Sequence, residues 1–90
     1  MKDPRKFKLL CLTTLAAIAD CGQEGMPASL LSIACQEKIP GFGHRDLILL
    51  METLDGAGWT TSKNHTIVAT ESGMELGLKV GKALMEATAS

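Results

Sequence analysis

Tyrosine is absent from this chain, and its aromatic side chains are two phenylalanines and one tryptophan: Phe7, Phe42 and Trp59. Proteins that hold single-stranded nucleic acid stack successive bases on aromatic platforms, so this composition argues against that class. An excess of one charge is missing as well. Nine Lys and Arg stand against ten Asp and Glu, for a formal net charge of −1. A dedicated nucleic-acid binder ordinarily carries a basic excess, so any such role must rest on local patches. Cys11, Cys21 and Cys35 are odd in number and contain no C-x-x-C pair. That argues against a disulfide framework or a closed zinc site, and for reduced thiols in a cytoplasmic protein.

Convergent chemistry is scarce too. His44 and His65 lie on separate elements, with no His-x-x-x-His or Cys–His spacing for a metal or an activated nucleophile. The glycines of Gly41-Phe42-Gly43 are not followed by the Gly-Lys-Ser/Thr of a phosphate loop. The carboxylates Asp20, Glu24, Asp46, Glu52 and Asp55 carry no signature of the burial that a catalytic pair needs. The expectation is a protein that is not an enzyme and needs no metal or cofactor. Long apolar runs are also lacking. Residues 9–19, LLCLTTLAAIA, follow basic residues as a signal-peptide core does. Thr13 and Thr14 interrupt that run, however, and no A-x-A-like site follows before Asp20. About 11 residues also fall well short of the ~20 that span a bilayer. The run reads as a buried core helix, with no membrane partner.

What is present is a globular composition, 46% hydrophobic and 21% charged over 90 residues, which makes one domain, residues 1–90. A chain this small buries only about 60–65% of its unfolded surface, so dimerisation is an accessible route to further burial. Its basic residues cluster at one end: Lys2, Arg5, Lys6 and Lys8 face Asp3 alone. Residues 1–6 are expected to form a flexible basic arm overlapping the start of the first helix.

Apolar residues at helical spacing predict four helices. The first runs from Arg5 to about Asp20 with Phe7, Leu10, Cys11, Leu15 and Ile18 on one side, and Leu9, Leu12, Ala16 and Ala19 add a second. A helix apolar on two sides should be covered on more than one. Gly22 is placed to end it. The second opens at Pro27 or Ala28, where proline costs nothing, and runs to about Glu37, with Leu30, Leu31, Ile33 and Ala34 as its buried side. Residues 39–43, IPGFG, break it. The third runs from His44 or Arg45 to Leu54 or Asp55, with Leu47, Leu50, Met51 and Leu54 turned inward.

Residues 58–73, GWTTSKNHTIVATESG, then read as a hairpin turning around Ser62-Lys63-Asn64, because Thr66-Ile67-Val68 is β-branched throughout and Asn tolerates a left-handed backbone. A lone hairpin is marginal in water, so Trp59 is expected to anchor this one on the core. Ser72-Gly73-Met74-Glu75 has capping-box spacing for a fourth helix ending near Ala87, with Thr70 as the competing cap.

The order helix, helix, helix, hairpin, helix resembles the winged helix-turn-helix family, mainly α with a small β-hairpin wing. The local likeness is to small bacterial regulators of the multiple-antibiotic-resistance and phenolic-acid-regulator type, carried by Leu54, Gly58-Trp59, Val68, Thr70 and Gly73. The resemblance implies a third helix in the major groove of double-stranded DNA. Arg45, Thr53, Lys63 and Asn64 would then make base or phosphate contacts, assisted by Lys6 and Lys8. It also implies a homodimer built on the terminal helices and a role in transcriptional or mobile-element regulation. The competing expectation is a protein-interaction module in which Ile48 or Leu49, with Phe42, docks a protein partner through the third helix. The outward face of that helix separates the two: basic and polar for DNA, acidic with exposed Ile48 or Leu49 for protein.

Gly73, Gly77 and Gly81 recur every four residues on the last helix. Each interior glycine costs about 1 kcal/mol relative to alanine, so close approach of another backbone should offset that cost. That backbone is either the first helix of the same chain or a second subunit. Leu9, Leu12, Gly77, Leu78, Gly81 and Met85 are the candidate dimer interface.

Overall fold

A computed structural model describes residues 3–89. The helices are α1 (Pro4–Asp20), α2 (Ala28–Lys38), α3 (His44–Gly56) and α4 (Glu71–Ala89). The strands are β1 (Met26–Pro27), β2 (Thr60–Lys63) and β3 (Thr66–Ala69), in the spatial order β1-β3-β2 and antiparallel throughout. The fold is mainly helical, four helices with a small three-stranded antiparallel sheet whose β2–β3 hairpin forms a wing.

α1 starts at Pro4, capped by the Asp3 carboxylate, which accepts from the Arg5 N–H at 2.9 Å. Residues 4–6 are therefore helical and not a flexible arm, because proline at the first helical position and an aspartate cap before it are both strong start signals. Met1 and Lys2 of the expected arm lie outside the described residues.

The hairpin is not alone. The second helix starts at Ala28, the later of the two expected positions, and Pro27 joins Met26 in a third strand instead, with Met26 opposite Ile67 and Pro27 opposite Thr66. Gly25 makes this approach feasible. It has φ of 73°, and a Cβ there would lie 2.5 Å from the Ile67 carbonyl oxygen, so only glycine fits. The tight turn is Asn64-His65, both at positive φ, one residue later than Ser62-Lys63-Asn64. That matches the paired left-handed residues of a two-residue type I′ hairpin.

The base of the wing is fastened largely through backbone. Trp59 N–H donates to Leu54 O at 3.1 Å, and Thr70 N–H donates to Trp59 O at 2.9 Å. The Thr70 hydroxyl donates to Gly58 O at 2.6 Å and accepts from Gly73 N–H at 3.2 Å. Thr70, not Ser72, therefore caps α4. A Cβ on Gly73 would fall on the Trp59 carbonyl, so α4 starts directly against the strand entry. The half-buried Trp59 side chain packs against the core as well.

The core is centred on Leu15, Ile18, Leu50, Leu54 and Ile67, all fully buried. α1 supplies two of these, α3 two and the wing one, so one cluster joins three elements. α2 contributes Leu31 and Cys35, while Leu30 and Ile33, expected inside, are exposed. Four apolar residues within the five positions 30–34 cannot all face one side of a helix at about 100° per residue, and Cys35, four after Leu31, takes the inward place. Phe42, expected as part of an outward docking patch, is also buried in the core. Its N–H bonds to Ile39 O at 3.2 Å, folding the α2–α3 connection inward.

Candidate recognition face and the α1–α4 groove

α3 turns Leu47, Leu50 and Leu54 inward, which leaves Arg45, Ile48, Leu49 and Glu52 on the opposite side, all exposed. Ile48 is 42% exposed and Leu49 48%, so the centre of this face is apolar. Asp46 marks its start: the carboxylate accepts from the Gly43 N–H at 2.9 Å, half of a capping box. That bond holds its pKa below the ordinary carboxylate value. The first turn of α3 therefore carries an anion next to Arg45.

The six residues expected to read DNA lie on α1, α3 and the wing. Arg45 lies on the first turn of α3 and is exposed. Thr53 is two turns further on, and its hydroxyl donates to Leu49 O at 2.7 Å. It lines a small apolar cavity with Phe7, Lys8, Cys11, Leu12 and Trp59, which places it toward α1. Lys8 belongs to that cavity too, while Lys6 lies beside Lys38 and Pro40 at the end of α2. Lys63 and Asn64 are exposed at the wing tip with His65.

The expected dimer residues divide differently. Gly77 is buried within the chain: a Cβ there would lie 2.7 Å from the Ala19 Cβ and 2.9 Å from the Leu15 carbonyl. α1 of the same chain therefore occupies the space beside Gly77, the first of the two partners weighed for the glycine ridge. Leu12 is half-buried and Leu9 exposed. Leu78, Gly81 and Met85 line an open groove between α1 and α4 of about 450 Å³, floored by Ala16 and Ala17. Ala17 carried no signal in the sequence, being one small residue in an apolar run.

Burial pushes the Cys11 and Cys35 thiols up, away from the thiolate that a nucleophile requires. Among the described residues no group of three His, Cys, Asp or Glu is placed to hold a metal ion, and no helix is long and apolar enough to cross a membrane. No family model matches the chain, and neither a curated protein nor a solved structure matches it.

Proposed function

We propose that this chain is a winged-helix interaction module whose third helix docks a protein partner. The observation that carries this reading is the adjacent exposure of Ile48 and Leu49 at the centre of the outer α3 face. A helix that enters a major groove contacts base edges with polar and basic side chains and gains affinity from phosphate neutralisation. Here one arginine is offset by Glu52 and by the anionic Asp46. An apolar centre with a mixed-charge rim is the anatomy of a protein interface. The partner this face suits is an apolar ridge flanked by charges of both signs.

Duplex DNA is the second reading, as a transcriptional or mobile-element regulator. It is favoured by one specific feature, the wing tip, where Lys63, Asn64 and His65 are all exposed on a tight turn.

One experiment separates the two. Binding to mixed-sequence duplex is followed by fluorescence anisotropy at about 50 and about 200 mM salt, with Arg45→Ala and Lys63→Ala alongside. In parallel, a photo-crosslinker at Glu52 captures partners from extract, with and without Ile48→Ser and Leu49→Ser. The protein reading expects a crosslinked band that the Ile48/Leu49 pair abolishes and Lys63→Ala leaves in place. Salt-dependent duplex binding lost in both Arg45→Ala and Lys63→Ala would overturn it in favour of DNA.

A further inference from the structure

α1 lies closely along α4, whereas α2 is held chiefly by β1, and the facing sides of α1 and α2 stand apart. An inner cavity of about 90 Å³ and an outer one of about 380 Å³ occupy the gap. Both are lined by Leu10, Thr13 and Lys38, which makes them one cleft. α1 supplies Lys6, Leu10, Thr13 and Ala17, a stripe at i, i+4, i+7 and i+11 on one side of the helix. α2 supplies Leu31, Ala34, Cys35 and Lys38, again at helical spacing. From Lys6 to Ala17, at about 1.5 Å per residue, the α1 wall is roughly 16 Å long, or about three turns. The Thr13 hydroxyl donates to Leu9 O at 3.0 Å and to Leu10 O at 3.1 Å, so its polar demand is met inside α1 and the wall is apolar. Leu9, 57% exposed, stands at the lip.

We propose that this cleft is a docking groove for a short acidic amphipathic helix of a partner protein. Charge complementarity selects the occupant. Lys6 at the outer end and Lys38 at the junction are the charged residues of the lining, and among the described residues no carboxylate lines it. The carboxylates of the neighbouring segments lie elsewhere. Asp3 caps α1, Asp20 lines the α1–α4 groove, and Glu24 lies in the turn before β1. Glu37 sits about 200° around α2 from the inward-facing Cys35. Of the other cations on α1, Arg5 is exposed at the Lys6 end, and Lys8 belongs to the cavity on the α3 side. The form of the occupant follows from the walls. Helix backbone groups are bonded within their own helix, so the cleft offers no edge to an extended strand. A helix instead enters such a groove with apolar anchors at i, i+3, i+4 and i+7. Its anchors sit over Ala17 and Ala34, where the walls are small, and its carboxylates sit beside Lys6 and Lys38. An anionic membrane shares the charge preference but presents no ridge to fill a concave groove. The site is separate from the outer face of α3, because it uses other helices and other residues.

The test is fluorescence anisotropy of the full chain with a panel of labelled helical peptides of about 14 residues, or four turns. Each carries a different set of apolar anchors at i, i+3, i+4 and i+7, flanked by glutamates in one version and by lysines in the other. The glutamate-flanked members bind in the micromolar range, at least about tenfold more tightly than their lysine-flanked counterparts. Lys6→Glu and Lys38→Glu each weaken that binding by about threefold, and together they turn the preference toward the lysine-flanked peptides. Ala17→Gln, at an exposed position, crowds the cleft and weakens every peptide by about tenfold while the helical circular-dichroism signal is kept. If Ala17→Gln perturbs the fold, the two exposed lysines still decide. Amide shifts on titration gather at Leu10, Thr13, Ala17 and Ala34. Shifts gathered at Ile48 and Leu49 instead would place the peptide on α3 and overturn the cleft as its site. No glutamate-flanked peptide binding up to about 1 mM overturns the proposal, as does binding that the lysine exchanges leave unchanged. Binding to phosphatidylglycerol vesicles that the peptides fail to compete away overturns it in favour of a lipid surface.

Discussion

The two halves of α4 are built from the same repeated glycine, yet they do different work. In the first half, Gly73 lies directly beneath the Trp59 backbone and Gly77 beneath Leu15 and Ala19, and both are buried. In the second half, Gly81 is half-exposed, and Lys82, Leu84 and Met85 beyond it are exposed. The i, i+4 spacing places all three glycines on one side of the helix, but a side of a helix is covered only as far as its neighbours reach. α1 covers Gly77, while at Gly81 it approaches no closer than an ordinary contact. A glycine ridge is therefore evidence of close approach position by position, not as a unit.

The contrast is broken most severely at Gly73. Gly73→Ala puts a methyl group into the Trp59 carbonyl, which must displace either α4 or the wing. Overpacking usually costs about 1–3 kcal/mol and more where backbone must move, so a loss of about 3 kcal/mol or more is expected by urea unfolding. An unchanged midpoint would show that α4 does not abut the strand entry. Gly77→Ala comes next, at about 1–3 kcal/mol. Its nearest contact is the Ala19 Cβ, but the Leu15 carbonyl at 2.9 Å cannot move without bending α1. Part of the penalty is offset by the better helix propensity of alanine.

How far these features were legible in the sequence follows from what each depends on. A helix was readable where it carries its own periodicity, and α3 shows this well: Leu47, Leu50 and Leu54 define its inner side unaided, whereas α2, apolar on several sides, hid its inner side. β1 was not readable. Two residues hold no pattern, and Met26-Pro27 becomes a strand only because Ile67 and Thr66 are there to pair with it. The cap of α4 was settled by tertiary context in the same way. Ser72 had the better local spacing, but the Thr70 hydroxyl serves Gly58 and Gly73 together, joining the wing base to the helix start. Arg45, Lys63, Thr53 and Lys8 were grouped by charge or polarity alone, and the structure gives Thr53 and Lys8 to the α1 side.

That double use makes Thr70 the next point of leverage, because it ties the enclosed half of α4 to the wing. Thr70→Ala removes the acceptor for the Gly73 N–H and the donor to the Gly58 carbonyl. Loss of a cap costs about 1 kcal/mol, and Thr70→Ser, which keeps the hydroxyl, should recover most of it. Amide exchange at Gly73 and in β3 should quicken in the alanine variant and return toward the parent rate in the serine one. If serine recovers nothing, the methyl packing of Thr70 matters more than its hydrogen bonds.

The smallest expected effect has the opposite sign and sharpens the comparison most. Gly81→Ala adds a methyl group where the nearest atom is 3.9 Å away, in a helix interior where alanine is favoured by up to about 1 kcal/mol. Its melting temperature should rise, by a few degrees on the scale of about 4–8 °C per kcal/mol for a domain of this size. Two residues four apart on one face would then answer the same substitution in opposite directions, Gly77 losing stability and Gly81 gaining it. A loss at Gly81 would mean instead that α1 already claims the whole ridge.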